Sequence, residues 1–270
     1  MKRVAYAVIV LACAAGCRHA PPNVRFAPPG TDPARLRSEF ALTDAERLAL
    51  TPDSIRRLTQ EQIDQLYRRL SSGPIPDGPF RGDLFFPKDA NGDARLSDVA
   101  EPVPPLLRNA AAMKLRTIGR LFWKGKVFFR SQMILRNRIE DLAILTPIIG
   151  NTDGIQKLTF DGRTTWLLFP AKVSCGESRL DASQRSTVID YSKGREVEGY
   201  RDVPDKLAGP EGLDIRDEIR VIRRGLYLGR AYFGAKFALN FTLLDPTVPI
   251  GSSLSPDLQH DCAASAGGGR

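Results

Sequence analysis

The chain has 270 residues, of which 42% are hydrophobic and 26% are charged, and its formal net charge is +8. These values are typical of a globular protein. The two histidines, His19 and His260, lie near the ends of the chain, which argues against Ser-His-Asp or Cys-His catalysis and against histidine-based zinc or haem sites. We therefore expect no metal and no cofactor. The basic residues are spread along the chain, so they favour solvated surface charge or anionic lipid headgroups over nucleic acid.

The first residues have the layout of a secretory signal peptide. Lys2 and Arg3 form a basic start, and the apolar run at 4–15 is too short to span a bilayer. Small residues then precede Cys17, and this ending resembles the signal of a bacterial lipoprotein. The resemblance implies removal of residues 1–16, acylation of Cys17 with palmitate, and attachment to a membrane on the periplasmic face of the cell envelope.

Two alternatives to acylation at Cys17 stay open. The position three residues before it holds Ala14, where the lipoprotein pattern prefers Leu. Cys13 ends a weaker site of the same kind, and an ordinary cleaved signal would leave Cys17 without a role. In the enterobacterial sorting rule, an Asp after the acylated cysteine retains the protein at the inner membrane, so Arg18 favours the outer membrane.

Residues 17–31 are rich in proline and predict an extended tether between the membrane and the folded part. Residues 32–73 then predict helices, with Thr31 as a candidate N-cap. Thr59 and Gln62 have the spacing of a capping box ahead of apolar residues at helical spacing. Such an apolar face most often packs on the rest of its domain, although it can also meet a partner helix.

Residues 74–246 change to a β pattern, interrupted by one predicted helix at about 105–121. Short turns such as Asp161-Gly162 join the strands, which predicts an antiparallel meander of about eight or nine strands. Such a meander tends to close and remove its edges, so we predict an α+β protein with a β-barrel or strongly curved sheet and N-terminal helices. Residues 247–270 predict a flexible tail. The predicted strands are 80–86, 122–129, 155–160, 164–169, 186–191, 217–223, 226–233 and 236–244.

The last predicted strand has the clearest alternation of apolar and polar residues. This alternation predicts one buried face and one wetter face. The two faces consist of Phe237, Leu239, Phe241 and Leu243 on one side and of Ala238, Asn240 and Thr242 on the other.

Five segments of the β region stand out: 215–220 (IRDEIR), 225–229 (GLYLG), 122–127 (FWKGKV), 135–139 (LRNRI) and 189–192 (IDYS). Together they resemble the signature of a group of uncharacterised bacterial proteins, over roughly residues 75–244. The resemblance implies a shared domain and no particular activity. The predicted architecture is also similar to lipocalin-like ligand-binding barrels, although the lipocalin Gly-x-Trp motif is not cleanly present.

The best polar cluster lies on one predicted strand, where Arg216, Glu218 and Arg220 share a face. If that face lines the barrel, the two guanidinium groups can hold the carboxylate or phosphate headgroup of a small amphipathic ligand. The alternative, a structural network of ion pairs, is the more frequent use of such a cluster. The full set of predicted ligand-binding residues is Arg216, Glu218, Arg220, Asp190, Tyr191, Tyr227 and Trp166.

Two cysteines, Cys175 and Cys262, remain after export, and in an oxidising periplasm we predict that they form a disulfide; two free thiols are the alternative.

The first functional hypothesis is a lipid-anchored binding protein for a small apolar or amphipathic ligand. The second is a structural or interaction lipoprotein with a filled barrel and an envelope protein as partner. The third is a histidine-free enzyme that uses Asp190, Tyr191 or Glu218.

Overall fold

The computed structural model describes residues 24–87, 89, 123–142, 151–249 and 262. The predicted signal peptide, the predicted acylation site at Cys17 and the predicted helix at about 105–121 lie outside the described residues. Within the described ranges, no helix is both long enough and apolar enough to cross a bilayer.

The centre of the fold is a closed antiparallel β-barrel, which confirms the predicted architecture. Eight strands follow one another in the order β3-β2-β1-β9-β8-β7-β6-β5, pairing of β3 with β5 closes the circuit, and β4 is an extra strand on β5. The barrel is lipocalin-like in its general shape. The strands are β1 (Gly78–Phe85), β2 (Trp123–Phe129), β3 (Ile134–Ile139), β4 (Lys157–Phe160), β5 (Arg163–Glu177), β6 (Arg185–Asp190), β7 (Ile215–Arg223), β8 (Leu226–Phe233) and β9 (Lys236–Leu244).

Strand β3 is the element that the strand prediction did not include, and the closure of the barrel depends on it. Its centre is the polar run Arg136-Asn137-Arg138, which lacks the apolar residues typical of a strand. All three side chains are nevertheless buried. The turn at Asp161-Gly162 is confirmed, and both residues have positive φ values, of 58° and 72°. These angles match the two-residue hairpin turn that joins twisted strands.

The alternation along β9 holds for only part of the strand. A register shift pairs Ala231 with Leu239 but Tyr232 with Phe237, so Ala238 is an extra residue. This bulge turns Phe237 to the outer side of the barrel, where its ring centroid lies 3.9 Å from the guanidinium carbon of Arg230. The prediction that Phe237 shares the face of Leu239 is therefore wrong.

The predicted wetter face of β9 is also wrong, because the helices cover it. Asn240 and Thr242 are buried, with exposed fractions of 0% and 1%. Asn240 donates a hydrogen bond to the side chain of Gln60, at the start of the helix that lies over the strand (3.0 Å). Period-two alternation distinguishes the faces of a strand but does not reveal whether a second layer covers the polar one.

The N-terminal helices are α1 (Pro33–Glu39), α2 (Asp44–Ala49), α3 (Pro52–Arg56) and α4 (Gln60–Arg69), and a fifth short helix is α5 (Asp202–Asp205). The capping box of Thr59 and Gln62 is confirmed. The N-cap of α1 is Asp32 and not Thr31, because the Asp32 carboxylate accepts from the backbone N–H groups of Ala34 and Arg35.

The second half of the predicted tether belongs to the folded unit. Val24 and Ala27 are buried, and the backbone of Ala27 exchanges two hydrogen bonds of 3.0 Å with the side-chain amide of Gln65 on α4. The amide of Gln65 thus fixes the segment before α1 to the helical layer.

The helical layer packs on the outer face of β7 and β8 and forms a second hydrophobic core there. On α4, Ile63 and Leu66 are fully buried, and they belong to the same apolar cluster as Ile222 and Leu228 of the barrel wall. The apolar face of α4 therefore packs on its own domain, because its partner is the barrel wall.

We expect Leu66→Ala to lower the free energy of unfolding by about 2–5 kcal/mol, because it removes fully buried methyl groups and leaves a cavity. Urea unfolding followed by circular dichroism measures the change. Arg57→Ala, at an exposed position next to α3, is the control and should change the free energy by less than about 0.5 kcal/mol. A loss of free energy for Leu66→Ala as small as that for Arg57→Ala would contradict a stabilising role of the helical layer.

Candidate functional site

The predicted Arg216–Glu218–Arg220 cluster lies on the outer side of the barrel. On β7 it is the opposite face, with Ile219 and Val221, that belongs to the core inside the barrel. The prediction that Arg216 and Arg220 contact a headgroup in the interior is therefore wrong. Alternation along the strand gave the correct grouping of residues, but it carries no information about which group faces inward.

Arg220 connects the barrel wall to the C-terminal end of α4. Its exposed fraction is 0%, its Nε donates to the Ser186 hydroxyl (3.0 Å), and one Nη donates to the backbone oxygen of Tyr67 and to the Gln184 side chain (3.0 and 2.8 Å). Burial lowers the pKa of this guanidinium, and Tyr67 and nearby carboxylates oppose the shift. The contacts of Arg220 are those of a structural residue.

The other predicted residues of β7 form contacts of the same kind. Glu218 is fully buried and accepts a hydrogen bond from the backbone N–H of Arg179 (3.0 Å). It also forms an ion pair with Arg216 at 3.3 Å. The alternative interpretation of this cluster, a structural ion-pair network, agrees with these contacts.

The remaining predicted residues do not converge on one site. Tyr227 packs edge-on against Phe80 in the interior, with 5.7 Å between ring centroids. Trp166 is half-buried beside the same core. Asp190 accepts from the backbone N–H of Ser192 near the surface (3.0 Å), whereas Tyr191 is buried inside. The three groups of the enzyme hypothesis, Asp190, Tyr191 and Glu218, therefore do not share an open cleft.

A polar cluster that the sequence analysis missed lies inside the barrel. The ammonium of Lys126 on β2 lies 2.8 Å from a carboxylate oxygen of Asp217 on β7. It also donates to the hydroxyl of Tyr191 (2.5 Å) and to the side-chain oxygen of Asn137 (3.0 Å). Because three strands separate β2 from β7 in either direction around the barrel, this ion pair joins opposite walls.

The charge of Lys126 is compensated by groups of the protein itself, namely the Asp217 carboxylate and its hydrogen-bond partners. Burial lowers its pKa, and the attraction of Asp217 opposes that shift. Burial raises the pKa of Tyr191, and Asp217 raises it further, so the hydroxyl stays protonated as a hydrogen-bond donor. The rings of Trp123 and Phe241 both lie 5.5 Å from the ammonium, a distance at which cation–π attraction acts. Lys126 lies two residues before Phe128, and alternate residues of a strand share a face. This spacing was the sequence signal that the Lys126 side chain points into the barrel together with Phe128.

Apolar side chains make up the rest of the described interior core. Their aromatic rings interlock edge to face, as in the pair Phe80–Phe128 at 5.8 Å. All eight strands of the circuit contribute buried members: Phe80, Phe128, Leu135, Ile139, Leu168, Ala171, Val173, Ile189, Ile219, Val221, Tyr227, Ala231, Phe241 and Leu243.

A disulfide joins Cys175 of β5 to Cys262, with an S–S distance of 2.06 Å. Cys262 is 2% exposed and belongs to the interior core. The hydroxyl of Thr187 lies 3.8 Å from its sulfur atom. The bond thus attaches a residue far along the chain to the inner wall of the barrel.

A cavity of about 310 Å³ opens near the pairing of β3 with β5. Its walls combine the apolar side chains of Ile134 and Leu167 with the charged side chains of Arg136, Arg201 and Asp205. The lining comes from four separate stretches of the chain, so no local sequence signal points to this site. In the described part of the chain, no group of three or more His, Cys, Asp or Glu residues is arranged to hold a metal ion.

Comparison with known proteins gives little further information. No family model matches the chain, and no curated protein is significantly similar to it. A crystal structure of a protein from Thermomonospora curvata is 16% identical and aligns with a TM-score of 0.40, over 74% of this chain and 95% of that chain. This likeness is too distant to carry an argument about function.

We expect Lys126→Met and Asp217→Asn each to lower the free energy of unfolding by about 3–5 kcal/mol, because each leaves one buried group without its partner. The double variant should lose much less than the sum, and a double-mutant cycle in urea measures the difference. The exposed pair Arg35–Glu39 is the control and should show far weaker coupling. Additive losses for Lys126 and Asp217 would contradict the interior ion pair.

We expect reduction of the disulfide to lower the free energy of unfolding by roughly 4–5 kcal/mol, because the bond closes a loop between cysteines 87 positions apart. Unfolding curves with and without dithiothreitol measure this change. The Cys175→Ser/Cys262→Ser variant should match the reduced protein and should not respond to dithiothreitol. A reduced protein as stable as the oxidised one would contradict the stabilising role.

Proposed function

We propose that this chain is a lipid-anchored protein of the bacterial envelope, in which the barrel is a solid scaffold for contacts with other envelope proteins. The scaffold role rests on the ion pair between Lys126 and Asp217, because it crosses the interior from one wall to the other. A carrier of the lipocalin kind needs an open interior for its ligand. Here that space holds protein side chains, so we favour the scaffold over a carrier.

Two features support a place outside the cytoplasm. The basic start, the short apolar run and Cys17 have the order of a lipoprotein signal. The bond between Cys175 and Cys262 is of a kind that persists in oxidising compartments. Both features agree with acylation at Cys17 and with the periplasmic face of the outer membrane, the location that Arg18 favours.

We expect metabolic labelling with an alkyne analogue of palmitate to mark the wild-type protein and the Cys13→Ser variant but not the Cys17→Ser variant. The label is detected by in-gel fluorescence after expression in a bacterial host. Loss of label in Cys13→Ser alone would move the acylated residue to Cys13. Unlabelled wild-type protein recovered from the cytosol with its amino terminus intact would contradict the envelope location.

The scaffold role has separate tests. In crystals of the protein under xenon pressure, we expect no xenon atom between Phe80, Phe128 and Tyr227, because an empty apolar space of sufficient size would bind the gas. Crosslinking in intact cells should recover envelope proteins attached to the wild-type chain. A xenon site in the barrel interior, or a lipid bound there stoichiometrically, would instead support the carrier hypothesis.

A further inference from the structure

The cavity beside β3 and β5, which we call the seam cavity, has a composition unlike that of the barrel interior. Its volume of about 310 Å³ lies at the lower end of the range of about 300–1,000 Å³ that is usual for small-molecule sites. One part of its wall is apolar and contains Phe129, Ile134, Ile155 and Leu167. A site of this size and lining suits a small molecule with an apolar body.

Arg136 supplies the polar end of the seam cavity. Its side chain is 7% exposed, and one Nη donates to the backbone oxygen of Glu198. Among the described residues this oxygen is the one hydrogen-bond acceptor of the guanidinium, and no carboxylate there forms an ion pair with it. Buried arginines ordinarily have their donors satisfied, so the other N–H groups of Arg136 are available to an acceptor in the cavity.

The buried carboxylate on the cavity wall, that of Asp205, is already engaged in hydrogen bonds to the backbone. Asp205 is 3% exposed, and its two oxygens accept from the backbone N–H groups of Phe169 (2.6 Å) and Arg201 (2.9 Å). These bonds hold the Asp205 carboxylate in place on the cavity wall. The side chain of Arg201 in turn donates to the backbone oxygens of Asn151 and Asp153.

The charges around the seam cavity limit the charge of its ligand. Burial lowers the pKa of Arg136, and the negative charges of Asp205 and Glu198 oppose that shift. An acceptor with one negative charge would complete the bonding of Arg136, since carboxylates match the planar fork of a guanidinium. The second charge of a doubly charged group would lack a further cationic partner, because the Arg201 guanidinium is already bonded to backbone oxygens, and it would add repulsion from Asp205 and Glu198.

We propose that the seam cavity binds a small amphipathic monocarboxylate, with its carboxylate on Arg136 and its apolar body against Ile134, Ile155 and Leu167. Its lining includes neither Lys126 nor Asp217, so the site is independent of the scaffold role. It therefore adds a ligand to the proposed function without requiring an open interior.

Binding of octanoate to the purified full-length protein tests this proposal without any variant. We expect octanoate to bind roughly ten times or more as tightly as 1-octanol, measured by saturation-transfer difference NMR and titration, because only the acid forms a charge-assisted hydrogen bond. Octyl phosphate, which is largely doubly charged above neutral pH, should bind more weakly than octanoate. Equal binding of octanoate and octanol, or tighter binding of octyl phosphate, would overturn the proposal.

Variants then locate the site. Arg136→Gln should weaken octanoate binding roughly tenfold to a hundredfold and leave octanol binding nearly unchanged. Leu167→Trp should fill the cavity and weaken binding of both compounds. Arg224→Gln, which removes the same charge from an exposed turn between β7 and β8, is the matched control and should bind as the wild type does.

The outcomes separate this site from the scaffold. If Arg136→Gln unfolds, Leu167→Trp and the comparison of the two compounds still decide the question. Octanoate binding that survives both substitutions would overturn the assignment to the seam cavity. Xenon in the barrel interior would contradict the scaffold and leave the seam cavity unaffected, whereas failure of octanoate binding would leave the scaffold intact.

Discussion

The ion pair between Lys126 and Asp217 is the constraint on which the rest of the barrel interior depends. Taking two charges out of water carries a large desolvation cost, and their attraction offsets it only when neighbouring groups complete their hydrogen bonds. Tyr191 and Asn137 do so here. These four side chains must therefore be placed together, and their strands must hold one register for the pair to form.

The outer face of β7 and β8 is also polar, and the helical layer covers it. The ring of Tyr67 on α4 lies close to two guanidinium groups, 4.6 Å from the carbon of Arg220 and 5.7 Å from that of Arg230. Arg230 also forms an ion pair with Asp64 of α4. Guanidinium groups bind backbone oxygens, carboxylates and aromatic faces together, so they join the helical layer to the barrel through specific contacts.

The class of fold could be predicted from the sequence, since hairpin turns such as Asp161-Gly162 and alternating strands such as β9 are local signals. The closing strand β3 could not, because Arg136, Asn137 and Arg138 have the composition of a loop and their partners lie far away in sequence. For the same reason the alternation of β7 grouped Arg216 with Arg220 but did not reveal that α4 covers Arg220. The seam cavity was beyond prediction, since its lining is assembled only when β3 pairs with β5.

The burial of Val24 has a consequence for how an anchored molecule would stand at a bilayer. Seven peptide steps separate Cys17 from Val24 in the sequence, and seven extended residues reach at most about 25 Å. With acyl chains on Cys17, the edge of the helical layer would therefore stay within that distance of the lipid surface.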